Sequence, residues 1–267
     1  VSHWSRYMRT SAGYMGPNAL SVPFIGNGRI DSMTYLGVTA HLHFSKGDNT
    51  QNIALYGNYC LVKDVVALDI TYIPIELYQM SDAVKKERHV YYDRYYHNIA
   101  KGDVLLNTNI RLLKKLDKDI RLTLRVGYRF PSSSDLATAR YTDGMGYYID
   151  ISFGKTLSPS LQWIGMAGFY CWQIDSDKFR QNDAFLFGSG LEWNRNGWNV
   201  QSYFAGYLGY ISGSGDKPIV IRANAEKKFS KTSLLLRLQQ GLHDYKYSSA
   251  EFGMKFFFRR KPLVAAK

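Results

Sequence analysis

The chain has 267 residues, of which 45% are hydrophobic and 15% aromatic, and a formal net charge of +12. No run of about 18 apolar residues exists to form a spanning helix, and the even composition gives no sign of a second domain. The basic residues stand singly at alternate positions and in turns without a nucleic-acid-binding motif, so the charge does not point to DNA or RNA.

The numbering opens at Val1 without a signal-peptide pattern, which reads as a mature form whose export signal has been removed. Residues 1–32 follow no regular period. Gly13, Gly16-Pro17-Asn18 and Pro23 through Gly26-Asn27-Gly28 break any helix or strand. This stretch is expected to be irregular, either entering a lumen or lying beneath the body of the fold.

From Met33 onward the apolar residues recur at every second position, the period of a β-strand. Twelve segments of about 10 to 14 residues follow, a length that crosses a bilayer when tilted. They run over 33–45, 50–62, 64–78, 103–114, 119–130, 145–157, 160–174, 183–194, 197–211, 218–229, 231–243 and 249–258. In 119–130 the row Ile120, Leu122, Leu124, Val126, Tyr128, Phe130 alternates with Arg121, Thr123, Arg125, Gly127, Arg129. The joins at Lys63-Asp64, Lys115 to Lys118, Ser158-Pro159, Arg195-Asn196 and Ser230 are short, while 79–102, 131–144, 175–182 and 212–217 are longer. That alternation predicts a single antiparallel up-and-down transmembrane β-barrel with both ends of the barrel on the short-turn side. Only the first hairpin, through Gly47-Asp48-Asn49, is short where a long loop is expected.

Three local features qualify the pattern. Pro74 lies inside a strand, so a bulge or an edge is expected there, with a change of parity around it. In 160–174 both faces are apolar, Leu161, Trp163 and Phe169 opposing Ile164 and Met166, which fits packing against an internal plug or a partner and leaves the facing open. Cys60 and Cys171 fall on segments far apart around a barrel, which disfavours a disulfide.

The last segment, Glu251-Phe252-Gly253-Met254-Lys255-Phe256-Phe257-Phe258, places Phe252, Met254, Phe256 and Phe258 on one face. Its alternation and closing Phe258 resemble the signal that bacterial outer-membrane β-barrel proteins present to their assembly machinery. The resemblance is to this superfamily rather than to one family, and covers residues 33–258. It implies an outer-membrane location in a Gram-negative cell, with both termini periplasmic, residues 1–32 a lumen plug or periplasmic tail, and 259–267 a C-terminal periplasmic tail. It also implies contact with membrane lipid and lipopolysaccharide, and other outer-membrane proteins as candidate partners.

The parity set by Phe258 turns Arg111, Arg121, Arg125, Arg129, Arg222, Lys228, Arg237 and Lys255 inward, with Asp69, Asp150, Glu192, Glu226 and Glu251 as counterparts. Charges in so narrow a bore must pair or stay wet. They therefore line a small porin-like, somewhat anion-favouring channel, or interlock and fill the interior of a non-conducting structural subunit of a larger outer-membrane complex. A third reading is a lipid hydrolase, because the His43-x-Ser45 spacing resembles outer-membrane phospholipases and lipid A deacylases. Lys46-Gly47 replace the asparagine and glycine that follow the phospholipase serine, and His41 sets an inward facing. The loop with Lys85-Lys86-Glu87-Arg88-His89 and Tyr91 to His97 mixes cations with aromatics, a composition suited to lipopolysaccharide phosphates or a protein partner. A soluble all-β binding module requires the Ile120-to-Val126 row to face a second sheet, with Arg121, Arg125 and Arg129 bare to solvent. No metal-ligand spacing and no cofactor motif is found.

Overall fold

In the computed structural model, residues 3–90, 98–112, 119–133 and 135–258 are described. The strands are β1 (Thr34–Phe44), β2 (Asp48–Val62), β3 (Val66–Met80), β4 (Ile99–Ala100), β5 (Val104–Arg111), β6 (Ile120–Phe130), β7 (Gly146–Thr156), β8 (Leu161–Gln173), β9 (Gln181–Arg195), β10 (Trp198–Gly209), β11 (Ile219–Lys228), β12 (Thr232–His243) and β13 (Ser248–Phe258). One short helix, α1 (Asp82–Glu87), follows β3. Each strand pairs antiparallel with its neighbours, and β1 closes the cylinder against β13 from Thr34↔Phe258 to Phe44↔Ser248. Twelve strands form the closed barrel. The two-residue β4 is extra, pairing with Glu76 and Leu77 on β3 above the point where β5 takes over.

Closure removes the exposed edges that would otherwise invite aggregation. The exposed side chains along the strands alternate as the period-two pattern demands: Leu36 and Val38, Ile149 and Ile151, Leu234, Leu236 and Leu238, then Phe252, Phe256 and Phe258 all face out. A ring of such residues around every strand is stable only against lipid or another apolar surface. At Pro74 the β2–β3 ladder shifts register between Ile53 and Leu55, because proline cannot donate to the ladder and one additional β3 residue is accommodated. The β9–β10 turn is closed by Asn196 and Gly197, both at positive φ, the geometry that joins two twisted strands in two residues. Cys60 and Cys171 are both free thiols and buried. The sequence segments at Lys115 to Lys118, Tyr91 to His97 and 259–267 fall outside the described residues.

Residues 3–32 run through the inside of this barrel. His3 to Gly16 lie at the long-loop rim: Arg6 pairs with Asp177 at 2.7 Å, Ser11 Oγ donates to the Ser214 carbonyl at 2.5 Å, and the Gly13 amide donates to the Gly215 carbonyl at 2.9 Å. Residues 17–24 then descend past the strands, and Met33 reaches the short-turn rim, where its carbonyl accepts from Asn58 at 2.6 Å. The two ends of the described chain thus lie on opposite rims. β1 begins and β13 ends at the short-turn rim, and the described segment before β1 spans the lumen between the two rims.

Apolar burial explains the path. Met8, Met15, Leu20, Val22 and Ile25 pack with Ile164, Met166, Tyr170, Trp172, Leu186, Tyr203 and Tyr207 in one cluster. Burying each large side chain stabilises by about 1.5–3 kcal/mol. The facing left open by the two-sided apolarity of β8 is thereby settled. Trp163 and Phe169 point out, and Ile164 and Met166 point in against the segment.

Candidate functional site: the occupied lumen

Three strand side chains, and Tyr245 in the connection between β12 and β13, seize the backbone of the lumen segment. Arg129 Nη1 donates to the Ala19 carbonyl at 2.6 Å, Tyr207 Oη to the Leu20 carbonyl at 2.7 Å, Arg222 Nη2 to the Val22 carbonyl at 2.7 Å, and Tyr245 Oη to the Pro17 carbonyl at 3.1 Å. An irregular segment leaves its carbonyls without ladder partners, and these donors supply them. Below the clamps, the Phe24 ring meets the guanidinium groups of Arg222 and Arg237, each 4.4 Å from its centroid. At the lower end Asn27 Nδ2 donates to Glu192 at 3.0 Å, and Gly28 sits at φ +72° against the Arg121 carbonyl, where a side chain has no room.

The other inward residues are mostly engaged with each other. Arg125 Nε donates to Asp150 Oδ2 at 2.7 Å, Arg237 Nη1 to Glu251 Oε2 at 3.0 Å, and Lys255 Nζ to Glu226 Oε2 at 2.6 Å. Arg121 donates to Gln162 at 2.9 Å, and Asp69 accepts from Asn109 at 2.6 Å. Arg111 ends β5 at the short-turn rim. The row Arg237↔Glu251↔His41↔Asn52↔Glu76 shares one level across five strands. His43 is buried in the wall. Its Nδ1 meets Ser249 Oγ at 2.7 Å and its Nε2 meets Asn52 Oδ1 at 3.0 Å, while Ser45 lies beyond the end of β1. The geometry therefore does not join His43 to Ser45.

At the long-loop rim a network that the sequence pattern does not reveal closes the mouth. Arg140, fully buried, donates to Glu76 Oε1 through Nε at 2.8 Å, to Asp48 Oδ2 through Nη1 at 2.7 Å and to Thr50 through Nη2 at 2.8 Å. Arg88, just after α1, reaches the same Asp48 oxygen at 2.6 Å, as does Tyr247 Oη, and Tyr141 Oη donates to Glu76 at 2.7 Å. Two long loops are thus drawn inward onto two wall carboxylates. Burial opposes the charge on Arg140, but Glu76 and Asp48 outweigh it and raise its pKa. Burial also pushes the Asp103 carboxyl above the usual carboxylate value, with Arg129 pulling it back. These partners lie 40 to 199 residues apart in sequence, beyond what local spacing can signal.

Space remains between the segment and the barrel wall, bordered by β1, β2, β3, β5 and β6 and, on the other side, by β10 to β13. An upper cavity of about 280 Å³ is lined by Thr39, His41, Tyr56, Asp103, Arg125, Arg129, Arg222, Arg237 and Glu251. A lower one of about 280 Å³ reaches Arg29, Asp31, Asn58, Glu226 and Lys255 near the short-turn rim. Both are bordered by Phe24, Tyr35, Asp69 and Arg237, so they meet there. Across the two linings six cations (Arg29, Arg125, Arg129, Arg222, Arg237, Lys255) stand against five carboxylates (Asp31, Asp69, Asp103, Glu226, Glu251). At the short-turn rim cations also outnumber carboxylates among the described residues: Arg29, Lys63, Arg111, Arg121, Lys155, Arg195, Lys227, Lys228, Lys231 and Lys255 against Asp31, Asp64, Asp119, Glu192 and Glu226.

Solved structures share this architecture. An outer membrane channel from Pseudomonas putida F1 superposes with a TM-score of 0.62 at 13% identity, over 89% of this chain and 100% of that one. The NanC porin gives 0.56 at 9% identity, over 83% of this chain and 98% of its own. The fold is that of the outer-membrane β-barrel proteins. At these identities the likeness is one of fold. No family model matches the chain, and no curated protein matches it in sequence.

Proposed function

We propose that this protein is an integral outer-membrane barrel with its short turns in the periplasm, acting as a narrow porin-like channel that its own N-terminal segment holds shut. The observation that carries the reading is the pair of joined, charged cavities running beside the segment from the level of Tyr141 down to the short-turn rim. Residues 1–32 act as the lumen plug, and Arg111, Arg121, Arg125, Arg129, Arg222, Arg237, Lys255, Asp69, Asp150, Glu226 and Glu251 are the lumen-lining set. The single excess cation along the cavities supports a weak preference for anions rather than a strong one. The apolar belt supports a lipid environment with lipopolysaccharide around the long-loop rim.

A second reading is favoured by the buried Arg140 network: a barrel sealed this way at one mouth also suits a non-conducting subunit of a larger outer-membrane assembly. Planar-bilayer recordings separate the two. The channel reading predicts rare small steps from the intact chain, frequent steps after Arg140→Met, and a reversal potential in a salt gradient displaced slightly toward the anion. Silence from both proteins, together with stoichiometric partners retained in mild detergent, would overturn it in favour of the subunit.

A further inference from the structure

We infer that the barrel carries a one-sided binding patch for the phosphate headgroups of anionic phospholipids on the outer face of β7 to β11 at the short-turn rim. The inference rests on the membrane reading above and goes beyond it by naming a lipid class and a place.

Three of the five tryptophans, Trp163, Trp193 and Trp198, point outward here, 42%, 37% and 43% exposed. Cations alternate with them in register: Lys155 pairs with Trp163, Arg195 with Trp198, and Trp198 in turn with Lys227. Lys227 Nζ lies 5.1 Å from the Trp198 ring centroid. Among the described residues no carboxylate pairs with Lys155, Arg195 or Lys227. The rest of the circumference differs. On β12, β13 and β1 the outward positions at the same level are Thr232, Leu234, Phe256, Phe258 and Leu36, with neither charge nor tryptophan.

Indole rings favour the depth of the headgroup boundary, and long cationic side chains extend from there to the aqueous edge. Three cations without a carboxylate partner stand at that depth, Lys227 also donating to the Asn196 carbonyl at 2.9 Å, and they meet phosphate, with Arg195 presenting a fork that matches two phosphate oxygens. Charge complementarity selects an anionic headgroup over a zwitterionic one. The topology places the patch in the leaflet of the short turns, and so selects a glycerophospholipid over lipopolysaccharide.

Native mass spectrometry of the full chain, released from detergent containing equimolar phosphatidylglycerol and phosphatidylcholine, tests this. The expected result is about tenfold more retained phosphatidylglycerol, falling to parity in Lys155→Gln/Arg195→Gln/Lys227→Gln. These side chains are outward and carry no buried contact, so the variant keeps its heat-modifiable gel migration. Parity in the native protein, or an unchanged ratio in the triple variant, would overturn the patch. Preference for lipid A over phosphatidylglycerol in a second competition would overturn the lipid assignment. If the membrane reading itself fails, the protein stays monodisperse without detergent and retains neither lipid, an outcome distinct from equal retention of both.

Discussion

Replacing Arg140 by methionine isolates what holds the long-loop mouth closed. The guanidinium serves two carboxylates of unequal independence. Asp48 keeps Arg88 at 2.6 Å and the Tyr247 hydroxyl at 2.6 Å after the change. Glu76 keeps only neutral donors, Tyr141 at 2.7 Å and Asn18 Nδ2 at 2.7 Å. Removing one partner of a buried ion pair costs about 3–5 kcal/mol, most of it from the charge left behind. The expense falls on the docked state of the loop that carries Arg140. At about 1.4 kcal/mol per factor of ten, its open population rises by about two to four powers of ten. Hydrogen exchange of amides 136–142 reads that change directly. Adding Glu76→Gln removes the stranded charge, so the double variant recovers most of the protection. Arg88→Met, which leaves Asp48 with Arg140, has the smaller effect. Exchange in Arg140→Met within threefold of the native rate, or no recovery on adding Glu76→Gln, would refute the argument.

Leu20→Ala opens a void among Ile164, Tyr207 and their neighbours, and is expected to destabilise the protein by about 2–5 kcal/mol, seen as a lower denaturant midpoint in tryptophan fluorescence. Gly28→Ala forces a side chain into left-handed backbone and onto the Arg121 carbonyl, so it loosens the lower segment and accelerates exchange at Asn27 to Met33 while the strand ladders keep their protection. With both nitrogens of His43 committed to Ser249 and Asn52, Ser45→Ala leaves phospholipid and lipid A hydrolysis at the level of the unsubstituted protein; a drop would restore the hydrolase reading.

The barrel was legible because a strand needs only its own alternation to show which face meets lipid, and Ile120 to Phe130 or Glu251 to Phe258 display it without help from the rest of the chain. The bulge at Pro74 was readable for the same reason: a missing N–H is a local fact. Facing failed at β8, where Ile164 and Met166 are as apolar as Trp163 and Phe169, because lumen and membrane both demanded apolar side chains there. The solution lay in residues 8 to 25, whose Met8, Met15, Leu20 and Val22 show no regular period and could not be matched to a wall by spacing. The mouth network was hidden more deeply. Asp48 sits in a hairpin that reads as a simple turn, Arg140 in a loop that reads as polar connection, and only closure of the cylinder brings them together. The inward arginines carried a further ambiguity: the pattern gives their direction, but Arg129 and Arg222 spend their donors on backbone carbonyls of a segment with no periodic signal.

Because the N-terminal segment crosses the lumen from the long-loop rim to the short-turn rim, the two chain ends are expected on opposite sides of the membrane. With one cleavable tag before Val1 and a second after Lys267, the protein is reconstituted in sealed vesicles and treated with external protease. Each molecule is expected to lose one tag and keep the other, whichever way it inserted, and to lose both only when the vesicles are opened. Molecules that lose both tags from sealed vesicles, or keep both, would contradict that crossing.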